Sequence, residues 1–396
     1  MNSCSFDFDR IIDRRGTGSM KYEKVGECCG ADDIMPMWVA DMDFATPPFV
    51  MRALERCMSH RILGYTCGCD PYYESIVNWC RGHYGWNISK EQINYIPGVV
   101  SGIFLAVQCL TEKSDRILIQ DPVYHPFHIV PETTDRLVVR NSLVRTDDGF
   151  DVDIDALRRD LEGCKLMILC NPHNPVGICW SRDILVKVAE ICYELGVIVV
   201  SDEIHCDMVL GGRKHIPFAS VSEKAREIAI TLQSPSKSFN MPGVVCAQMI
   251  IQNDVLREKM FNYVHGSDMD MGNAFAFECA SACYTPEGDE WRNAMLEYIS
   301  GNVQALKEEL QPVSDKIKVI EPKASFLVFL DCRALGYAEG CAYQRFFAEK
   351  CRIGVNPGDM FGPGGLGYMR INIACPRSQV REAANRIVAA VRSLND

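Results

Sequence analysis

The chain of 396 residues contains no apolar run approaching the ~18–20 residues needed to cross a bilayer, so no membrane-spanning helix is expected. It has no excess of positive charge. The formal net charge is −11, which disfavours nonspecific binding to nucleic acid or to anionic membranes. The first residues, MNSCSFDFDR, lack a basic stretch followed by an apolar one, and no signal peptide is expected. There is no repeat, low-complexity tract or charged tail. The GKS or GKT ending of a nucleotide P-loop is absent, and so is any paired CxxC array. That last absence matters because cysteine is abundant, with 20 residues. Cys28 and Cys29 are adjacent, Cys67 and Cys69 form a CxC, and neither pair has the second half of a zinc site. No metal site is expected. Cys109, Cys170, Cys192 and Cys246 sit in apolar runs and read as small buried hydrophobes. Disulfide frameworks belong mainly to small exported chains, so the expected compartment is a reducing cytoplasm.

What is present is an ordinary globular composition, 47% hydrophobic and 23% charged, on a chain long enough for two or more domains. Short apolar runs alternate with helical patterns, which signals an α/β fold. Strands are expected at Arg116–Gln120, Leu137–Arg140, Leu166–Cys170, Val197–Ser201, Ile228–Leu232 and Val245–Ile251. Most lack alternation, as strands covered on both faces do. One helix is expected to start with Thr46 as N-cap ahead of Pro47-Pro48, and a second in the same way at Asp70-Pro71. A third spans Arg182–Leu195 and stops at Gly196. A long amphipathic helix, Asp289–Leu310, opens the last third. After it come strand-like Ile317–Ile320 and Phe326–Leu330, helix-like Tyr343–Lys350, strand-like Met369–Ala374 and a final helix to about Leu394. The expected division is a large domain at 46–285 and a smaller one built from 1–45 and 286–396.

Four segments carry chemistry. Ser234-Pro-Ser-Lys237 follows an apolar strand, where burial lowers a lysine's pKa and frees its amine as a nucleophile. Ser234 and Ser236 offer hydroxyls to an anion; the bland alternative is a loop lysine. Asp202 ends the run Val197–Ser201, at the strand edge where open α/β sheets bind ligands. It suits a protonated ring nitrogen, or it is only a cap or surface acid. Asn174, in the turn Asn171-Pro-His-Asn174-Pro, offers an amide at the same edge, or serves the turn alone. Pro97-Gly98-Val-Val-Ser101-Gly102 feeds a helix whose free N–H groups suit a phosphate. Gly362-Pro-Gly364-Gly-Leu-Gly367 fits GxGxxG literally, but a strand rather than a helix is expected after it, so it reads as a loop.

These segments stand in the order found in fold-type-I pyridoxal-phosphate enzymes. Six stretches, two of them around Asp202 and Lys237, resemble the aminotransferase-like C–S lyases of the cystathionine β-lyase type: Pro36-Met-Trp-Val-Ala-Asp-Met-Asp-Phe44, Gly64-Tyr-Thr66, Pro122-Val-Tyr-His-Pro-Phe127, Ser201-Asp-Glu-Ile-His205, Pro235-Ser-Lys-Ser-Phe-Asn240 and Arg370-Ile-Asn-Ile-Ala-Cys-Pro376. The resemblance implies a large domain with a mostly parallel seven-stranded sheet beside a smaller α+β domain, and pyridoxal 5′-phosphate as cofactor. It implies that Lys237 holds the cofactor as a Schiff base and then moves the proton. Asp202 would pair with the ring nitrogen, Asn174 with the phenolic oxygen, and Tyr124 would stack on the ring. Val99 and Val100 backbone, Ser234 and Ser236 would meet the phosphate, and His205 would lie at the cofactor. Arg370 would fork onto the substrate carboxylate, with Ala40 and Asn174 beside the substrate. Tyr65 would reach the phosphate of a partner subunit, making a homodimer part of the site.

Two positions depart from many aminotransferases. His205 stands where a tyrosine is common, and Val245 where an arginine is. His125 has no assigned role. The implied reaction is α,β-elimination from an amino acid with sulfur at Cβ, giving pyruvate, ammonia and a thiol. An aminotransferase shares every step up to the carbanion, and a regulatory cofactor-binding protein is a further alternative.

Overall fold

The computed structural model describes residues 6–147 and 149–394; residues 1–5 of the expected small domain, with Cys4, lie outside them. Seven strands form the large sheet: β1 (Ile93–Ile96), β2 (Arg116–Ile119), β3 (Leu137–Arg140), β4 (Cys164–Cys170), β5 (Ile198–Asp202), β6 (Ala229–Gln233) and β7 (Ala247–Ile250). Their order is β1-β7-β6-β5-β4-β2-β3. Strand β7 is antiparallel to both of its neighbours, β1 and β6, and the other four pairings are parallel. The fold is α/β with a mostly parallel seven-stranded sheet, as expected. Six of these strands match the apolar runs within two residues. β1 has no counterpart among them, because Ile-Asn-Tyr-Ile is short, carries a polar second residue and is closed at once by Pro97.

The missing alternation has a direct cause. In β4, Leu166, Ile168 and Cys170 enter one hydrophobic core, whereas Met167 and Leu169 enter the other. Both faces are covered from Leu166 on, so every position of Leu166–Cys170 is apolar. Register then fixes the functional edge. Asp202 pairs with Cys170 on one side and with Leu232 on the other. The carboxyl ends of β4, β5 and β6 therefore lie together, and the residues just beyond them share one rim.

The helix Val99–Leu110 starts at the same rim with Gly98 as its cap residue. Its Gly102 is a close-approach position: a Cβ there would stand 2.6 Å from Ile96 Cδ1 and 3.0 Å from Leu232 Cδ2. The helix Arg182–Leu195 ends at Gly196 with φ +68°, as its sequence requires. Two expected caps are corrected. The first helix spans Pro48–Ser59 with Pro47 at the cap position, and the Thr46 hydroxyl instead donates to Asn240 O at 3.2 Å. The second spans Asp70–Trp79, so Asp70 lies inside the first turn and Cys69 precedes it. In both cases proline fixes the first turn without side-chain capping.

The long helix runs Pro286–Leu310, started by the Thr285 hydroxyl, which accepts from Gly288 N–H at 3.1 Å. Beyond it, β8 (Lys318–Ile320), β9 (Leu327–Asp331), β10 (Asn356–Pro357) and β11 (Tyr368–Asn372) form an antiparallel sheet in the order β8-β9-β11-β10. Met35–Pro36 pairs in parallel with Ile353–Gly354, which seats the N-terminal segment against the C-terminal third. The stretch 343–350 is split, a helix Gly340–Arg345 passing into a π-turn Phe346–Lys350. The final helix spans Arg377–Arg392. The glycine-rich loop forms two 3-10 turns and leads into β11, so it does not open a dinucleotide-binding helix.

Cys170, Cys192 and Cys246 are buried; Cys109 is not, because it lies on a half-exposed flank of its helix. The cysteines among the described residues are unpaired thiols. No group of three or more candidate metal ligands occurs among the described residues. No helix of the described residues is long and apolar enough to cross a membrane.

Candidate active site

A cavity of about 230 Å³ opens at the carboxyl rim of the large sheet. Its wall includes Ala40, Val99, Val100, Tyr124, Asn174, Asp202, His205, Ser234, Ser236 and Lys237, so ten residues singled out from sequence converge there. Two do not line it. Arg370 lies directly behind Asn174, and Tyr65 is 99% exposed on the surface.

The reactive groups are an amine and a carboxylate held in apolar surroundings. Lys237 Nζ donates to Ala40 O at 2.6 Å. Burial pulls its pKa down to about 8, against the opposing pull of Asp41. Asp202 is buried, and its Oδ1 accepts one bond, from Ile204 N–H at 3.0 Å. Burial pushes its pKa up to about 7. A carboxylate so short of donors is a site for a cation or an N–H. His205 beside it is buried, its pKa depressed to about 3 by burial and then by Lys237 and Arg370, so it is neutral.

The opposite end is built from hydroxyls and backbone. Val99, Val100 and Ser101 occupy the first turn of their helix, where the N–H groups have no intrahelical acceptor. Ser234 Oγ contacts Cys246 O at 2.6 Å and Ser236 Oγ at 2.7 Å, and accepts from Ser236 N–H at 3.0 Å. A hydroxyl has one proton, so with Ser234 donating to Cys246 O the proton between the two hydroxyls is Ser236's. Val245 holds φ +59°, rare for a β-branched residue, with its carbonyl accepting from Tyr95 OH at 2.8 Å. Among the described residues, the cavity wall includes no arginine.

Arg370, on β11, is buried and donates to Asn174 Oδ1 at 3.2 Å, Asn356 Oδ1 at 2.8 Å and Trp38 O at 3.0 Å. Its guanidinium lies 4.8 Å from the Phe361 ring centroid, and its Nε has no partner. Burial draws its pKa down to about 10, so it stays charged. Sequence reasoning misses Trp38 O, Asn356 and Phe361. A backbone carbonyl leaves no sequence signal, and Phe361 adjoins a glycine-rich stretch that reads only as a loop. Cys170 and Cys246, which read as core, also line the cavity. His125 is half-buried with an unpartnered Nδ1, and its ring is 6.4 Å from that of Phe361.

Residues 32–387 match the family of class I and II aminotransferases. The chain belongs to that family. It is 38% identical to the cystathionine β-lyase PatB of Bacillus subtilis, over 97% of this chain and all of that one. Among solved structures it is similar to the PLP-bound C–S lyase of Staphylococcus hominis, with TM-score 0.90 and 32% identity over 98% of both chains. It is also similar to cystalysin of Treponema denticola, which contains pyridoxal 5′-phosphate, with TM-score 0.94 and 29% identity over 98% of this chain and all of that one. The family member thus resembles C–S lyases along its whole length, as its motifs imply.

Proposed function

We propose that this chain is a pyridoxal-5′-phosphate-dependent C–S β-lyase, an enzyme of α,β-elimination on amino acids with sulfur at Cβ. The observation that carries the reaction type is the full-length 38% identity with a cystathionine β-lyase. The cavity supports the cofactor independently. Its under-bonded buried Asp202 suits a protonated ring nitrogen, and the free N–H groups of the helix Val99–Leu110, with Ser236, suit a phosphate. The residues present fit the group.

Bound pyridoxal phosphate supplies an electron sink for negative charge at the substrate Cα. Lys237 would hold it, and its amine would take the proton from the substrate Cα. A pKa drawn down towards 8 leaves an appreciable fraction of that amine neutral near physiological pH. Asp202 would hold the ring nitrogen and Tyr124 would pack on the ring, while His205 lines the site as a neutral group. Arg370 receives the α-carboxylate, with Ala40 O and Asn174 beside it. Asn174 Oδ1 is turned to Arg370, which leaves its amide N–H groups for the cofactor's phenolic oxygen. The products are pyruvate, ammonia and a thiol.

Tyr65, with Ile62 69% and Leu63 68% exposed, projects an apolar tip from the surface. This suits a homodimer in which Tyr65 completes the partner's phosphate site. The large domain is taken as 46–285 and the small one as 1–45 with 286–396. Many unpaired thiols suit a reducing cytoplasm.

The deciding experiment supplies cystathionine without any keto acid and follows pyruvate and visible absorbance together. Sustained pyruvate with unchanged absorbance supports elimination. Bleaching after one equivalent, reversed by a keto acid, would make the enzyme an aminotransferase instead.

A further inference from the structure

Lys21 is a buried lysine that does not line the cavity. Its side chain is 1% exposed, and Nζ stands 2.5 Å from Asp43 Oδ2 and 3.7 Å from Asp41 Oδ1. Arg14 completes the group, with Nη2 2.6 Å from Asp41 and Nη1 2.7 Å from Asp43. Two cations and two carboxylates alternate, so the cluster is neutral as a whole. Burying charges is tolerable only when each has its partner.

The carboxylates belong to a stretch that touches both Lys237 and Arg370. Ala40 O accepts from Lys237 Nζ, and Trp38 O accepts from Arg370 Nη2. Trp38 is itself tied back to Lys21, its indole N–H donating to Lys21 O at 2.9 Å. Lys21 therefore grips both ends of Trp38–Asp43, one by its backbone and one by its ammonium. Asn372 Nδ2 bridges Val39 O and Asp41 O in the middle of the stretch. Asn240, three residues beyond Lys237, donates to Met42 O at 3.1 Å and to Phe44 O at 2.7 Å.

We propose that Lys21 is a positioning residue for the reaction: through the cluster with Arg14, Asp41 and Asp43 it fixes Trp38–Phe44, whose carbonyls set Lys237 and Arg370 at their working separation. The inference rests on the roles of Lys237 and Arg370 proposed above. Lys21 touches neither substrate nor cofactor. Its effect is on geometry, where a displacement near 1 Å between amine and carboxylate fork costs up to about 100-fold in rate.

The test compares holoenzyme of wild type, Lys21→Met and Lys21→Arg. Hydrogen exchange is followed over residues 37–43, where Met37 and Asp43 N–H groups bond to Gly354 O and Ala374 O. Lys21→Met should exchange there about 10-fold faster, with β5 unchanged and the cofactor retained. It should lower kcat and raise KM together, with kcat/KM down about 30-fold, and Lys21→Arg should restore it to within about 3-fold. Wild-type exchange in Lys21→Met overturns the proposal. So does faster exchange with unaltered kcat and KM, which would make the cluster a stability feature only. If Lys21→Met does not fold, Arg14→Gln carries the same test, since that side chain is 23% exposed. The exchange measurement does not depend on the reaction class, and kinetics use whichever amino acid the wild type turns over. A failure of the lyase reading is therefore seen separately.

Discussion

Arg370 donates to the Asn174 side-chain oxygen at 3.2 Å, joining β11 of the small sheet to the turn beyond β4 of the large one. The contact settles the orientation of the amide, because guanidinium can only donate. One residue thus serves the fork with its oxygen and the cavity with its N–H groups.

Asn174→Asp should disturb both. A carboxylate would pair with Arg370 and compete with the substrate carboxylate, and it has no N–H to offer the cofactor. Substrate affinity should fall by about 10-fold or more, roughly the strength of one charge-assisted bond. Analogue binding, monitored by cofactor absorbance, checks this; unchanged affinity would detach Asn174 from the carboxylate site.

Arg370→Lys keeps the charge but replaces a planar fork with a point charge. The expected loss is on the order of 2–4 kcal/mol in kcat/KM. Unaltered steady-state kinetics would place the carboxylate elsewhere.

Lys237→Ala should abolish covalent attachment of pyridoxal. Borohydride treatment followed by mass analysis of the intact chain reads this out, and pyridoxal still fixed to the variant chain would move the anchor to another lysine.

Asp202 makes a stability prediction for the cofactor-free protein. Its folded pKa of about 7 lies above the ordinary value of 3.8, so the folded state holds the proton more tightly. Stability then declines as pH rises from about 4 to 7 and stays lowered above that. Asp202→Asn removes the burden. The variant apoprotein should exceed wild type by on the order of 2–4 kcal/mol at pH 8, and by little near pH 4. Elimination should nevertheless fall sharply, because an amide does not hold a ring cation. Urea melts at the two pH values check the first part; equal stability at pH 8 would refute it.

Much of the site is legible in the residues. Lys237, Asp202 and Asn174 each follow an apolar strand, and strand ends of an open sheet share one rim, so their convergence is readable from the chain alone. Val99 and Val100 are readable from Gly98 and the helix after it. Asn356 and Phe361 are not, because each acts by standing near Arg370, and nearness across the fold leaves no mark on local sequence. β1 is equally silent, because a four-residue strand with a polar second position is stabilised by its pairing with β7 rather than by its own pattern.

The sequence by itself determined the α/β class, the strand ends that carry Asp202 and Lys237, and the family motifs. Those follow from local propensity, apolar patterning and the order of residues along the chain. Tertiary structure alone decided that Ala40 O meets Lys237, that Trp38 O meets Arg370, and that Lys21 is buried against Asp43. Each of these joins segments far apart in sequence through a carbonyl or a charge whose partner is chosen by packing. The raised pKa of Asp202 belongs to the same class, because desolvation depends on what surrounds a group in space and not on its neighbours in the chain.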